Sequence, residues 1–346
     1  MTPATGATAP GERPHLGGSG ETGAAGSPPS REPTEPPDVT SNLAPGAADP
    51  RAAIDGAPAA PPAARAAPLR SRRWRFPLRT AGGRFGLGVA LALVATAVFA
   101  PVLATHDPRA IDLAAELAGP GRDHLFGAAE NGVDVLSQVV YGARVSLVVS
   151  VFAVLLSAAV GVTLGGIAGY VGGIVDEVLM RVVDVLLAFP GILLAIFITA
   201  VLGPSLANVV FALTVTGWTG YARLVRAQML TLRERDYVQA ARALGAKGNR
   251  ILFRHLLPNA AGPILVQATF AIPGAILAEA SLSFLGLGAP PGTPSWGALV
   301  DQGTQYLLVA PHIALFPGLA IAITVLGFNF LGDALRDALD PKRRER

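Results

Sequence analysis

Residues 239–259 read QAARALGAKGNRILFRHLLPN, a polar and basic stretch set between long apolar runs. Gln239 to Leu244 are strong helix formers. Gly245 is placed to cap that helix at its C-terminus, and Ala246 to Leu257 suit a second short helix that stops before Pro258. Helical periodicity brings Ile251, Leu252, His255 and Leu256 near one face, with Arg250 and Arg254 beside it. A helix–turn–helix with an apolar stripe and basic flanks suits a lipid surface or the groove of a partner.

The flanking sequence places this stretch beside a membrane. The chain has 346 residues, 51% of them hydrophobic, above the usual share of a soluble domain. Several of its apolar runs approach or exceed the roughly 18 residues needed to cross about 30 Å of hydrocarbon. The short alternating strands of a transmembrane barrel are not seen. The expected fold class is therefore an all-α polytopic membrane protein with six transmembrane helices, over 85–104, 145–170, 185–202, 206–222, 261–287 and 312–331, within one domain spanning 85–341. Residues 1–69, rich in Ala, Pro and Gly, are expected to form a disordered tail. Residues 70–84 form a basic juxtamembrane segment and 342–346 a basic C-terminal tail.

Charge sets the expected sidedness. Arg70, Arg72, Arg73, Arg75, Arg79 and Arg84 precede the first run, and Arg336, Lys342, Arg343, Arg344 and Arg346 follow the last. Between Arg223 and Pro258, eight Lys and Arg residues face only Glu234 and Asp236. By contrast 105–144 has an acidic excess, and 288–311 holds Asp301 as its one charge. The positive-inside rule then puts both termini and the 239–259 stretch in the cytoplasm.

Several chemistries are excluded. The chain has no cysteine, so disulfides and thiolate sites are ruled out. The five histidines are scattered, no pair has metal-ligand spacing, and no metal site is expected. Neither Lys247 nor Lys342 completes a phosphate-binding loop, so ATP chemistry would have to reside in another chain.

With these features in place, Gln239-Ala240-Ala241, Gly245 and Leu257-Pro258 resemble the Glu-Ala-Ala…Gly…Ile-x-Leu-Pro signature of permease subunits of binding-protein-dependent ABC importers. Residues 253–259, FRHLLPN, are similar to the dipeptide/oligopeptide/nickel branch, where His255 is frequent. The resemblance extends over about 75–341 and includes VVYGARVSL (139–147), DVLLAFPG (184–191), GWTGYARLVR (217–226), LAEASLSFLGLG (277–288) and TPSWG (293–297). Two departures stand out. Gln239 replaces the usual Glu, and the first external loop reads HLFGAA (124–129) followed by GVDVLS (132–137), lacking the branch's Pro, Thr, Asp and Arg.

The resemblance implies a type I importer permease in a bacterial inner membrane, forming half of a translocation path for short peptides, nickel or another small solute. It implies a homologous second permease subunit, two ATPase subunits that use ATP and magnesium, and an extracytoplasmic substrate-binding protein. This chain would carry out no catalysis and bind no cofactor. Its coupling residues would be Gln239, Ala240, Ala241, Gly245, Arg250, Arg254, His255, Leu257 and Pro258. The alternative, an ion-gradient-driven secondary transporter, should show paired intramembrane charges or inverted repeats, whereas Glu279 is the only carboxylate well inside a run.

Other residues have expected roles from position alone. Gly161, Gly165 and Gly169, four apart, form a face for close helix packing. Glu279 is a candidate for helix hydrogen bonding, pathway lining or an external gate. Trp218, Tyr221 and Trp296 suit interfacial anchoring. Arg223 and Arg226 suit either positive-inside orientation or ATPase contact, and Glu177 and Arg181 suit a helical charge pair.

Overall fold

The computed structural model describes residues 80–339, in which all regular secondary structure beyond one isolated bridge is helical. The expected disordered tail, most of the basic segment before the first helix and the 342–346 tail lie outside the described residues.

Helix α1 (Ala81–Val98) begins at Thr80, whose hydroxyl accepts from the Gly83 amide. A break at Phe99 leads into the single turn of α2 (Ala100–Leu103). A largely irregular segment follows before α3 (Val135–Val171), capped by Asp134. At 37 residues α3 is about 55 Å long, and it starts ten residues ahead of the expected apolar run at 145. Those ten residues mix polar and apolar types and bury Ser137, Gly142 and Ala143 against protein, so an apolar-run criterion does not register them.

Gly172 and Gly173, both at positive φ (72° and 58°), turn the chain into α4 (Gly173–Leu187). α4 meets α5 (Gly191–Leu202) at an 83° corner across Ala188–Pro190. Pro190 thus stands at a full break, and the first residues of the third expected run belong to α4. α6 (Leu206–Leu232) leads to α7 (Asp236–Ala243), α8 (Gly248–Ile251), a π turn over Leu252–Leu256 and α9 (Leu257–Phe284). Short α10 (Trp296–Gln305) and long α11 (His312–Leu339) complete the described chain.

Among the described residues, four helical runs are long and apolar enough to cross a bilayer: α1, α3, Gly248–Phe284 and α11. The bent α4–α5 pair counts as a fifth if its two helices form one broken span. α6 has 27 residues, length enough to cross, but carries Thr214, Thr216 and Thr219. Their hydroxyls donate to carbonyls of the helix itself, at 2.7 Å from Thr214 to Val210 and 3.0 Å from Thr219 to Thr216. Its polarity is thus satisfied internally.

The α3–α6 contact orders the bundle. A Cβ at Gly161, Gly165 or Gly169 would lie 2.4, 2.3 or 2.7 Å from the carbonyl oxygens of Trp218, Ala222 and Arg226. The glycine face of α3 thus meets positions of α6 that also recur every four residues, and backbone rests on backbone. Trp218 and Tyr221 are buried in this layer, and Trp296 is buried with its indole N–H donating to the Val139 carbonyl at 2.8 Å. These three rings are core, not interfacial anchors: Trp218 packs with Val183 and Ala222, Tyr221 is 2% exposed, and Trp296 stands against Gly142. The Arg226 guanidinium is bidentate on Asp176 and Arg223 bonds Asp184 at 2.5 Å, so both arginines tie α6 to α4.

Candidate functional site

The 239–259 stretch forms an elbow between α6 and α9. α7 ends at Gly245, held at φ 77°. The Gly245 amide donates to the Arg242 carbonyl at 2.9 Å and the Ala246 amide to the Ala241 carbonyl at 3.0 Å, the bond pair of a Schellman ending. A Cβ at Gly245 would meet nothing within 4 Å, so what the position demands is a left-handed backbone, not space.

The second helix does not stop before Pro258. It continues through the proline into α9 by way of the π turn, in which the Leu257 amide reaches back five residues to the Leu252 carbonyl. A proline inside an α-helix lacks a donor and clashes with the carbonyl four residues back. The wider turn relieves that crowding, and the Asn259 side-chain amide donates to the His255 carbonyl at 2.6 Å.

Ile251, Leu252 and Leu256 share a face as their spacing predicts, but that face does not point at lipid or a partner. It is buried with Val225 and Met229 of α6, Val238 of α7 and Ala260 of α9. The stripe is internal mortar that fixes the elbow to the bundle. His255 lies half-buried at its edge.

What faces outward is a different set. Leu244 is 89% exposed at the apex, with Tyr237 and Phe253 also exposed. Gln239, Ala240, Gly245, Arg250, Arg254 and Pro258 are exposed, while Ala241 and Leu257 are half-buried. Among the described residues no ion pair engages Arg235, Arg242, Lys247, Arg250 or Arg254. Leu244 lies outside the apolar stripe, and its signal in the sequence is an apolar residue directly before a capping glycine. The Gln239 side-chain amide donates to the Arg233 carbonyl at 3.3 Å, near the end of α6. An ionised Glu has no donor for that bond.

Glu279 is wholly buried in α9. One carboxylate oxygen accepts from Ser146 of α3 at 2.8 Å; the other accepts from Ser283 at 2.8 Å and from Ser295, just before α10, at 3.1 Å. The carboxylate therefore ties α9 to α3 and to the loop residue that leads into α10. It does not border the cavity of about 310 Å³ between α3, α5, α6 and α9, whose polar lining is Ser157, Thr216, Tyr221 and Gln267. The Tyr221 hydroxyl is buried there with no hydrogen-bond partner among the described residues.

The segment between α2 and α3 holds a cluster that sequence distance concealed. His106, His124 and Asp134 place one nitrogen or oxygen each within 4.8 Å of one another. His124 Nδ1 lies 2.9 Å from Asp134 Oδ1 and His106 Nδ1 lies 3.7 Å from the same atom. Burial by itself would raise the Asp134 carboxyl pKa; hydrogen bonds from Ser137, His124 and Thr105 outweigh it and hold the group below its ordinary value.

Comparison with known proteins adds a family to this geometry. Residues 161–345 match the family described as binding-protein-dependent transport system inner membrane component. The dipeptide transport system permease protein DppC of Alkalihalophilus pseudofirmus is 46% identical over 259 residues, 75% of this chain and 85% of that protein. The glutathione transport system permease protein GsiD of Pectobacterium atrosepticum is 44% identical over 284 residues, covering 79% and 94% of the two chains. The oligopeptide transport system permease protein OppC of Bacillus subtilis is 42% identical over 260 residues, 75% and 85%. A solved structure of the MetNI methionine ABC transporter in an inward-facing conformation overlaps with a TM-score of 0.47 at 22% identity, over 59% of this chain and 96% of that one. The chain belongs to the family of binding-protein-dependent transport system inner membrane components, as a permease subunit of an ABC importer.

Proposed function

We propose that this permease takes up short peptides or a related solute, and that the elbow at 236–259 is the surface on which an ATPase subunit acts. The observation that carries the second claim is the division of the elbow into two sides. Its apolar stripe is buried on α6 and α7, so movement of the elbow must be passed to the bundle, whereas Leu244 and unpaired basic side chains are left facing outward. An exposed leucine with exposed Arg242 and Lys247 close to it in the chain suits a groove with an apolar floor and an acidic rim. In this reading the elbow and both termini are cytoplasmic, ATP and magnesium belong to two partner ATPase subunits, and a binding protein delivers the solute from outside. A homologous second permease subunit completes the path. The cavity beside Tyr221 and Gln267 is this chain's share of it. The peptide assignment draws on relatives named as dipeptide and oligopeptide permeases.

The test is a paired substitution in the full transporter. Leu244→Asp should abolish ATP-driven uptake and loosen co-purification of the ATPase while leaving the permease's melting temperature unchanged. Leu256→Asp should instead destabilise the permease itself, because its side chain is buried in the stripe. Normal uptake by Leu244→Asp would refute the docking assignment. Uptake of a labelled dipeptide, competed by unlabelled peptides but not by inorganic cations, tests the substrate class.

A further inference from the structure

We propose that His106, His124 and Asp134 form a binding site for a divalent metal ion of the zinc type. The three residues come from separate points of the segment that links α2 to α3, and their ligand atoms all fall within 4.8 Å of one another.

The Asp134 carboxylate is prepared for this role by what holds it. Its Oδ2 accepts from the Ser137 hydroxyl at 2.7 Å, the Ser137 amide at 2.8 Å and the Thr105 hydroxyl at 3.1 Å. Oδ1 is left facing the two imidazoles, at 2.9 and 3.7 Å from their Nδ1 atoms. Tetrahedral zinc with ligand bonds of about 2.1 Å sets its ligands about 3.4 Å apart, and the two observed separations bracket that value. Outer hydrogen bonds that lock a carboxylate while leaving one oxygen presented are the usual support of a metal ligand. Two imidazoles with one carboxylate suit zinc and its neighbours, not calcium or magnesium.

Access and field agree with binding. The Asp134 carboxylate is 1% exposed, but His106 is 42% exposed, so one ligand can swing to admit the ion and a fourth position stays open to water. The surrounding segment from 105 to 144 has more acidic than basic residues, which favours a cation. A bound ion would clasp the chain leaving α2 and the loop at His124 to the start of α3, fixing the entry to the longest helix.

The test uses the full-length chain, purified with its partner subunits through a histidine-free tag and stripped with a chelator. Zinc titrated against a chromophoric competitor should show one saturable site per copy of this chain. Cobalt in its place should give the intense visible bands of tetrahedral coordination. His106→Ala, a mild change at an exposed ring, should weaken zinc binding at least about tenfold, the lower end of what even outer partners contribute. Asp134→Asn should abolish the cobalt bands. His255→Ala, at the distant elbow, should leave both readings unchanged. Absence of saturable binding, or equal affinity in wild type and His106→Ala, overturns the proposal.

Discussion

Two buried carboxylates, Glu279 and Asp134, are satisfied in opposite ways. Glu279 lies inside α9 and receives three serine hydroxyls from two helices and a loop. Asp134 lies just ahead of α3 and receives hydroxyls and an amide on one oxygen but the His124 imidazole on the other, with His106 3.7 Å away. The first has every bond directed inward among packed helices, so it acts as a knot. The second has one oxygen turned toward a half-exposed ring, so it keeps a side open to solvent chemistry. Burial alone does not separate structure from function; the identity of the donors does. Hydroxyls spend a carboxylate on packing, whereas imidazoles can exchange their proton for a metal.

Removing each carboxylate tests this contrast most strongly. Glu279→Ala leaves three buried hydroxyls without an acceptor and opens space between α3, α9 and α10, at a cost of about 3 kcal/mol or more. It should lower the melting temperature of the detergent-solubilised chain by on the order of 10 °C. Asp134→Ala removes a helix cap and the hydroxyl contacts around it, costing about 2 kcal/mol. A double substitution should give the sum of the two losses, since the carboxylates share no partner. Clear non-additivity in the melting curves would show that the knot and the open cluster are one unit.

An intermediate effect separates the groups by shape. Glu279→Gln keeps the volume but turns one acceptor into a donor among donors, at about 1–2 kcal/mol. Asp134→Asn keeps the oxygen that accepts from Ser137 and costs less than about 1 kcal/mol. If thermal melts reversed that order, the carboxylate in the bundle would be the looser of the two.

These differences bear on what the sequence made legible. Glu279 was visible because an acid in an apolar run is rare, and Ser283 follows it one helical turn on, but only packing brings Ser146 of α3 and Ser295 of the loop to it. The glycine ridge was visible because its spacing equals the helix repeat, although the partner face on α6 was not. The His–His–Asp cluster was hidden because its members are 18 and 10 residues apart in an irregular segment with no period to read. At the elbow, the capping glycine and the shared face of Ile251, Leu252 and Leu256 were read correctly. The direction of that face was not, because amphipathicity says that a stripe is buried without naming what buries it. Pro258 misled for a related reason: a helix end was expected where a wider turn lets the helix run on.

The smallest expected effects come from single hydroxyls, and they sharpen the contrast furthest. Ser295→Ala removes one donor of three from Glu279 at a site 1% exposed, where water cannot replace it. The cost should be about 1 kcal/mol, and the segment leading into α10 should exchange amide hydrogens faster because that serine pins it to α9. Thr105→Ala removes one donor from Asp134 Oδ2, but the Ser137 amide and hydroxyl still hold that oxygen at 2.8 and 2.7 Å. Its cost should be only a few tenths of a kcal/mol, within the range of surface substitutions. Hydrogen exchange on both variants reads the difference directly: a knot transmits the loss of one strand to the helix it ties, whereas an open cluster absorbs it. Equal and local responses in the two variants would mean that Glu279 holds α10 no more firmly than Asp134 holds its loop.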